Sequence, residues 1–248
     1  MLYYEVVGKG KPLVFLHGFL ESHQIWDRLK EALKDTYQII TLDLLGHGQS
    51  EITSAISTME NMADEVILVL NHLNIEKATF VGHSMGGYVS CALADLYPER
   101  TENIVLINSS TLPDDDEKKA QRLKACETAK RNFNALVSFS MPSLFAAHHR
   151  ENFRNELKEI KEIALKTPIE GVCAALKGMR ERPNRSSILY DFKGDIYTIV
   201  GKNDETVNPE LFLALIPDLP NIHLHQFDGG HMAFIEHYDE VLAILKSI

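Results

Sequence analysis

Three cysteines and one tryptophan in 248 residues leave little to cross-link the chain. Cys91, Cys126 and Cys173 are odd in number, far apart and without a CxxC pair, so no disulfide framework or zinc ribbon is expected. All three read as reduced packing residues, and the expected location is cytoplasmic. Long apolar runs are also missing. No uncharged stretch approaches the roughly 18 residues that a membrane helix needs, and Met1-Leu2-Tyr3-Tyr4-Glu5 has neither the basic nor the apolar region of a signal peptide. Positive charge is scarce, with 25 Lys and Arg against 35 Asp and Glu, a net charge of -10. Nucleic-acid binding depends on a basic surface that releases counterions, so no nucleic acid and no membrane is expected as partner. A small-molecule substrate is. Monomer and homodimer are equally open.

What is present is an ordinary globular composition, 45% hydrophobic and 24% charged, without repeats or low-complexity tracts. Short apolar runs alternate with helical patterns. Leu13–Leu16, Gln38–Leu42, Ala78–Val81, Ile104–Ile107 and Ile196–Val200 read as strands buried on both faces, hence parallel, and Leu2–Val7 as an antiparallel edge strand. Helices are expected near Ser22–Leu33, Thr58–Leu73 and Met85–Tyr97, from Pro209, and as one last helix carrying Phe234, Tyr238, Val241, Leu242 and Leu245. This order implies an α/β fold with right-handed crossovers. After Asn108 about 75 residues pass before the next strong strand; Lys118–Arg131 and Phe153–Ala164 have helical character there, with Asp114-Asp115-Asp116 as a solvated helix start. Residues 112–187 hold 15 basic against 11 acidic residues, net +4, while the remainder holds 10 against 24, net -14. That contrast fits either solvated amphipathic helices or an inserted lid biased toward acidic substrates.

The chemistry concentrates in Gly82-His83-Ser84-Met85-Gly86, a G-x-S-x-G directly after a buried strand and directly before a helix. A turn tight enough to project Ser84 leaves no room for flanking side chains. A serine hydroxyl needs a base oriented by a third group, so an acid and then a histidine are expected downstream. Asp204 follows the strand Ile196–Val200, and His231 lies in the loop Asp228-Gly229-Gly230-His231 before the final helix; Asp115 is the fallback acid. The backbone N–H groups of Phe19, after Leu16-His17-Gly18, and of Met85 are placed to hold an oxyanion.

These residues resemble the α/β-hydrolase fold superfamily, and the resemblance covers nearly the whole chain. It implies a mostly parallel sheet with helices on both faces, a core domain of residues 1–111 and 188–248, and a helical cap at 112–187. It further implies that Asp43–Ser50 is a loop bracing the oxyanion turn and that His17, His47 and His83 belong to the scaffold. No cofactor is expected and no metal, since His148-His149 and His223-x-His225 lack acidic or thiol partners at ligand spacing.

Ser84 at the elbow disfavours the dehalogenases and epoxide hydrolases that resemble this pattern, because those use a carboxylate there. Carboxylesterase or thioesterase action on a small acyl substrate is the first expectation. Carbon-carbon hydrolysis of vinylogous diketo acids is the second, with Arg180 or Arg182 holding a carboxylate. Cofactor-free haloperoxidases and hydroxynitrile lyases resemble the same motif set, and a non-catalytic small-ligand receptor is the reading outside enzymology. Phe145, Met179, Leu144 and Met141 are the expected apolar lining of the substrate pocket.

Overall fold

Strands β2 (Lys11–Leu16), β3 (Tyr37–Leu42), β4 (Ala78–His83), β5 (Thr101–Ile107) and β6 (Ile196–Gly201) form the middle of a seven-stranded sheet in the computed structural model, which describes residues 1–248. Their side chains are apolar on consecutive positions because both faces are covered: Leu13, Val14, Phe15 and Leu16 are all buried. β1 (Tyr4–Val7) pairs antiparallel with β3 at one edge, and β7 (Ile222–Phe227) closes the other in parallel with β6. The spatial order is β1-β3-β2-β4-β5-β6-β7. The chain steps from β2 to one side and then returns to its other side for β4, so a crevice opens beyond the carboxyl ends of these two strands.

Three helices follow the early strands. α1 (Asp27–Leu33) is preceded by a short 3-10 turn over His23–Trp26, where a continuous helix was expected from Ser22. α2 (Met59–His72) is capped by the Thr58 hydroxyl, which accepts from the Asn61 N–H, and α3 (Met85–Leu96) leaves β4 through Ser84. Past β6 come α8 (Pro209–Leu213) and then, in place of one last helix, α9 (Ala233–Glu236) and α10 (Tyr238–Leu245). His237 interrupts them with φ -128° and ψ 48°, a conformation outside the helical region.

Between β5 and β6 the chain leaves the sheet for α4 (Asp116–Ser140), α5 (Arg154–Ala164), α6 (Ile169–Glu181) and the short α7 (Ile188–Asp191). α4 runs past the expected Arg131 to Ser140, with a kink at Asn132 (φ -158°, ψ 85°). Its start differs from the expected solvated acidic run. Asp115 does cap the helix, accepting from the Lys118 N–H at 2.7 Å, but Asp114 is buried and ion-paired with both Arg122 and Arg182. Arg182 also donates to the Leu112 carbonyl at 3.0 Å and stacks over the Tyr88 ring, 3.9 Å from its centroid. Arg185 reaches Glu60 at 2.6 Å and Asp95 at 3.2 Å. The places where the segment departs and returns are thus pinned to each other and to α2 and α3.

The cysteines depart from expectation. Cys126 of α4 and Cys173 of α6 form a disulfide with their Cα atoms 5.0 Å apart, and only Cys91 is free, buried in α3 with its thiol pushed up to about 12 by desolvation. Sequence spacing concealed the pair because 47 residues separate the two positions, and only the packing of α4 against α6 brings them together. Titration of the unfolded, unreduced protein with a thiol reagent is expected to find one thiol per chain and, after reduction, three. Three thiols before reduction would remove the cross-link.

Candidate active site

β4 cannot continue past His83 because the next residue turns at φ 50° and ψ -113°, a region that L residues rarely occupy and whose cost is about 1–3 kcal/mol. The surroundings hold Ser84 there. Its N–H donates to the Ile107 carbonyl at 3.0 Å and its carbonyl accepts from the Ser109 hydroxyl at 2.8 Å. A Cβ on Gly86 would collide with the Leu16 carbonyl of β2, and one on Gly82 with the Gly86 carbonyl. The glycines therefore permit α3 to start against two strands, and Ser84 is projected from the sharp corner that results.

Asp204 and His231 come from different loops and meet. His231 Nδ1 lies 2.7 Å from Asp204 Oδ2, so Nδ1 carries the proton and Nε2 is left as an acceptor. The same Oδ2 accepts from Asn108 Nδ2 at 3.0 Å, while Oδ1 accepts from the N–H groups of Thr206 and Val207 at 2.7 and 2.9 Å. Burial opposes ionisation of this carboxyl, but the His231 ring and these amides outweigh it, and the pKa is lowered. Asn108, at φ 47° just after β5, also donates to the Gly230 carbonyl at 2.9 Å and accepts from the Ala233 N–H at 3.2 Å. It joins the Asp204 loop to the His231 loop. Asp115, the fallback acid, caps α4 instead.

The loop after β2 is braced from beneath. His17 Nδ1 donates to the Gly18 carbonyl at 2.7 Å and Nε2 accepts from the Leu44 N–H at 2.9 Å. Asp43 accepts from the N–H groups of His23 and Gln49 and from the His23 ring, which fixes the Asp43–Ser50 turn. Burial drives His47 to about 3, so its ring is neutral packing against His17 and Phe19. The Phe19 N–H has no protein acceptor. Met85 heads α3, where first-turn amides lack an intrahelical partner and the dipole favours negative charge.

Ser84 and His231 border one cavity of about 380 Å³, together with Phe19, Tyr88 and the inner face of α4. Met141, Leu144 and Met179 line it as expected. Phe145 does not: it is 1% exposed and stacked on Phe153, just before α5, with centroids 5.8 Å apart. Arg180 and Arg182 do not line it either. The Arg180 guanidinium turns outward to Glu181, and that of Arg182 is occupied by Asp114 and two carbonyls. Neither borders the cavity that Ser84 and His231 share.

Two groups were not singled out in the sequence. Asn108 sat in view only as the end of a strand. Glu21 had no signal, since its charged partner is remote in sequence: it accepts from the nearby Gly18 N–H at 2.5 Å and from His83 Nδ1 at 3.0 Å. His83 Nε2 faces the His231 carbonyl at 2.9 Å, so both ring nitrogens donate and the ring is an imidazolium. Desolvation works against that charge, but Glu21 prevails and raises the His83 pKa; Glu21 is lowered in turn, burial opposing and His83 favouring its ionisation. A folded pKa above the unfolded one, about 6.5 for histidine, stabilises fully below that value and is lost as pH climbs through the folded one. The deficit in Tm of Glu21→Gln against wild type is therefore expected to be greatest near pH 6 and to shrink at alkaline pH, by scanning calorimetry. A deficit independent of pH would refute the ion pair.

Comparison with known proteins agrees with this architecture. Residues 11–238 match the family model described as alpha/beta hydrolase fold. The chain is 44% identical over 101 residues to an uncharacterized hydrolase, YugF, of Bacillus subtilis, a stretch covering 40% of this chain and 37% of that protein. It is 27% identical to 3-oxoadipate enol-lactonase 1 of Acinetobacter baylyi over 94% of this chain and 86% of the other. Among solved structures, a malate-bound thermophilic esterase from Thermogutta terrifontis superposes with a TM-score of 0.93 at 30% identity, covering 99% of this chain and 92% of that one. The family match spans most of the sequence, and the chain belongs to the α/β hydrolase fold family.

Proposed function

We propose that this protein is a serine hydrolase that cleaves an ester or thioester of a small acyl substrate through Ser84, His231 and Asp204. The observation that carries the reading is a serine in a strained turn on the same cavity as a histidine whose far nitrogen is held by a saturated carboxylate. His231 Nε2 takes the hydroxyl proton as Ser84 Oγ bonds to the acyl carbon, and the carbonyl electron pair moves to oxygen. The N–H groups of Phe19 and Met85 receive that oxyanion. The proton then passes from His231 to the leaving alcohol or thiol as its bond to the acyl carbon breaks. Water repeats the sequence on the acyl-enzyme, freeing the acid and restoring Ser84. Asp204 stays ionised throughout and stabilises the imidazolium.

In this reading residues 1–111 and 188–248 supply the reacting groups and residues 112–187 act as the cap that shapes the pocket. An esterase and an enol-lactonase among the relatives support attack on an acyl carbon bearing an oxygen leaving group. Arg180, paired with Glu181, and Arg182, held by Asp114, lie off this cavity, which favours the ester reading over the carbon-carbon one.

A panel of nitrophenyl esters and acyl thioesters, with fluorophosphonate labelling, tests the assignment. Ser84→Ala is expected to abolish labelling and lower kcat/KM by about 10³-fold or more. Asp204→Asn is expected to cost about 10⁴-fold in kcat because it favours the wrong His231 tautomer. Asn108→Ala, which loosens the carboxylate without removing it, is expected to lower kcat by about tenfold, the worth of a hydrogen bond to a charged group, with KM little changed. Unaltered ester turnover in Asp204→Asn would end the assignment of that acid.

A further inference from the structure

The charged residues on the cavity wall divide unevenly. Glu21 is paired with His83, the His231 ring with Asp204, and Arg122 with Asp114. Lys118 lines the same cavity and has no carboxylate within ion-pair distance. Its Nζ donates to the Thr206 carbonyl at 3.1 Å, which leaves two of its three N–H donors unassigned. The two acids whose charge acts on it are saturated: Asp114 by Arg122 and Arg182, Asp204 by His231, Asn108 and two amides.

We infer that Lys118 is the counter-ion for a carboxylate on the substrate, so that the preferred acyl compounds carry a free acid group on the acyl side, as half-esters of dicarboxylic acids do. The inference rests on the serine hydrolase reading and specifies its substrate class. Position supports it. Lys118, Gln121, Arg122 and Ala125 fall at i, i+3, i+4 and i+7 on one face of α4, all on the cavity. Thr206, which Lys118 touches, is two residues from Asp204 and borders the same cavity as Ser84 and His231. The far side of the Asn132 kink contributes Leu136, Phe139, Met141 and Leu144, an apolar wall for the uncharged part. Burial, and then Arg122, push the Lys118 ammonium below the usual lysine range, as happens to a cation whose lost hydration is not replaced by an anion. A bound carboxylate would supply that charge. The net +4 of residues 112–187 against -14 elsewhere makes this wall attractive to anions on an otherwise acidic molecule.

Monomethyl succinate, glutarate and adipate, each paired with the neutral methyl ester of equal acyl length, provide the test in a pH-stat assay. Wild type is expected to favour the anionic member of at least one pair about tenfold or more in kcat/KM. Lys118→Gln is expected to lower that anionic-to-neutral ratio by about 10- to 100-fold, and Lys118→Arg to recover much of it, in line with the strength of charged hydrogen bonds. An unchanged ratio in Lys118→Gln, or no anionic preference at any length, overturns the inference and leaves the hydrolase reading intact if esters still turn over. Absence of both ester turnover and phosphonate labelling of Ser84 overturns the hydrolase reading. In that event calorimetric binding of glutarate to Ser84→Ala still decides the subsite: binding lost on adding Lys118→Gln supports it, and binding that persists or never occurs refutes it.

Discussion

The approach of α3 to the end of β2 is the constraint from which the site follows. Because the Gly86 backbone lies against the Leu16 carbonyl, the connection from β4 has no room for a normal turn, and Ser84 takes the positive φ that remains. The same closeness sets the carboxyl ends of β2 and β4 side by side, so the loops bearing Phe19 and Ser84 open onto one crevice. Strain of this kind persists only where neighbouring structure over-determines it. Here the Ile107 carbonyl and the Ser109 hydroxyl, both contributed by the end of β5, secure the peptide groups on either side of the serine.

Apart from Lys118, charge inside this crevice follows one rule: a desolvated ion is tolerated where its hydrogen-bonding capacity is filled. Asp204 accepts four hydrogen bonds and His83 donates two, one of them to the backbone of His231. The Glu21–His83 pair therefore does more than neutralise itself. It links the loop after β2, through Gly18, to the loop that carries His231, much as Asn108 links that loop to Asp204. Removing one member of such a network leaves its partner both buried and unpaired, which costs more than the contact itself contributes.

Much of this was legible because it is local. Buried parallel strands leave continuous apolar runs, and an elbow leaves glycines at fixed offsets from a serine, so the sheet, Ser84, Asp204 and His231 could be picked from one-dimensional patterns. Glu21, Asn108 and the Cys126–Cys173 bond could not, since each depends on elements distant in sequence that meet only after the sheet is ordered. Arg180 and Arg182 were misjudged for a related reason. Their charge is written in the sequence, but the direction of a guanidinium depends on packing, and Asp114, expected in solvent, is the group that draws Arg182 inward. The last helix failed at His237, where stacking of its ring on Phe227, centroids 5.0 Å apart, accompanies a break that hydrophobic periodicity alone does not reveal.

The Asn132 kink gives the inserted helices their relation to the pocket. A straight 25-residue α4 would run roughly 37 Å at 1.5 Å per residue and could not keep both halves on a cavity of about 380 Å³. Bent, it offers two arms of different chemistry. The first arm is tied down at three successive points, by Lys118 to Thr206, by Arg122 to Asp114 and by Cys126 to Cys173, and it carries the polar wall. The second arm presents Leu136 and Phe139, the latter 88% exposed although it borders the cavity, so this arm forms an apolar mouth open to water. The arm with more polar ties is the one that carries the polar wall, and orientation matters to a hydrogen bond far more than to an apolar contact. Shape-tolerant contacts are left to the arm with fewer polar ties.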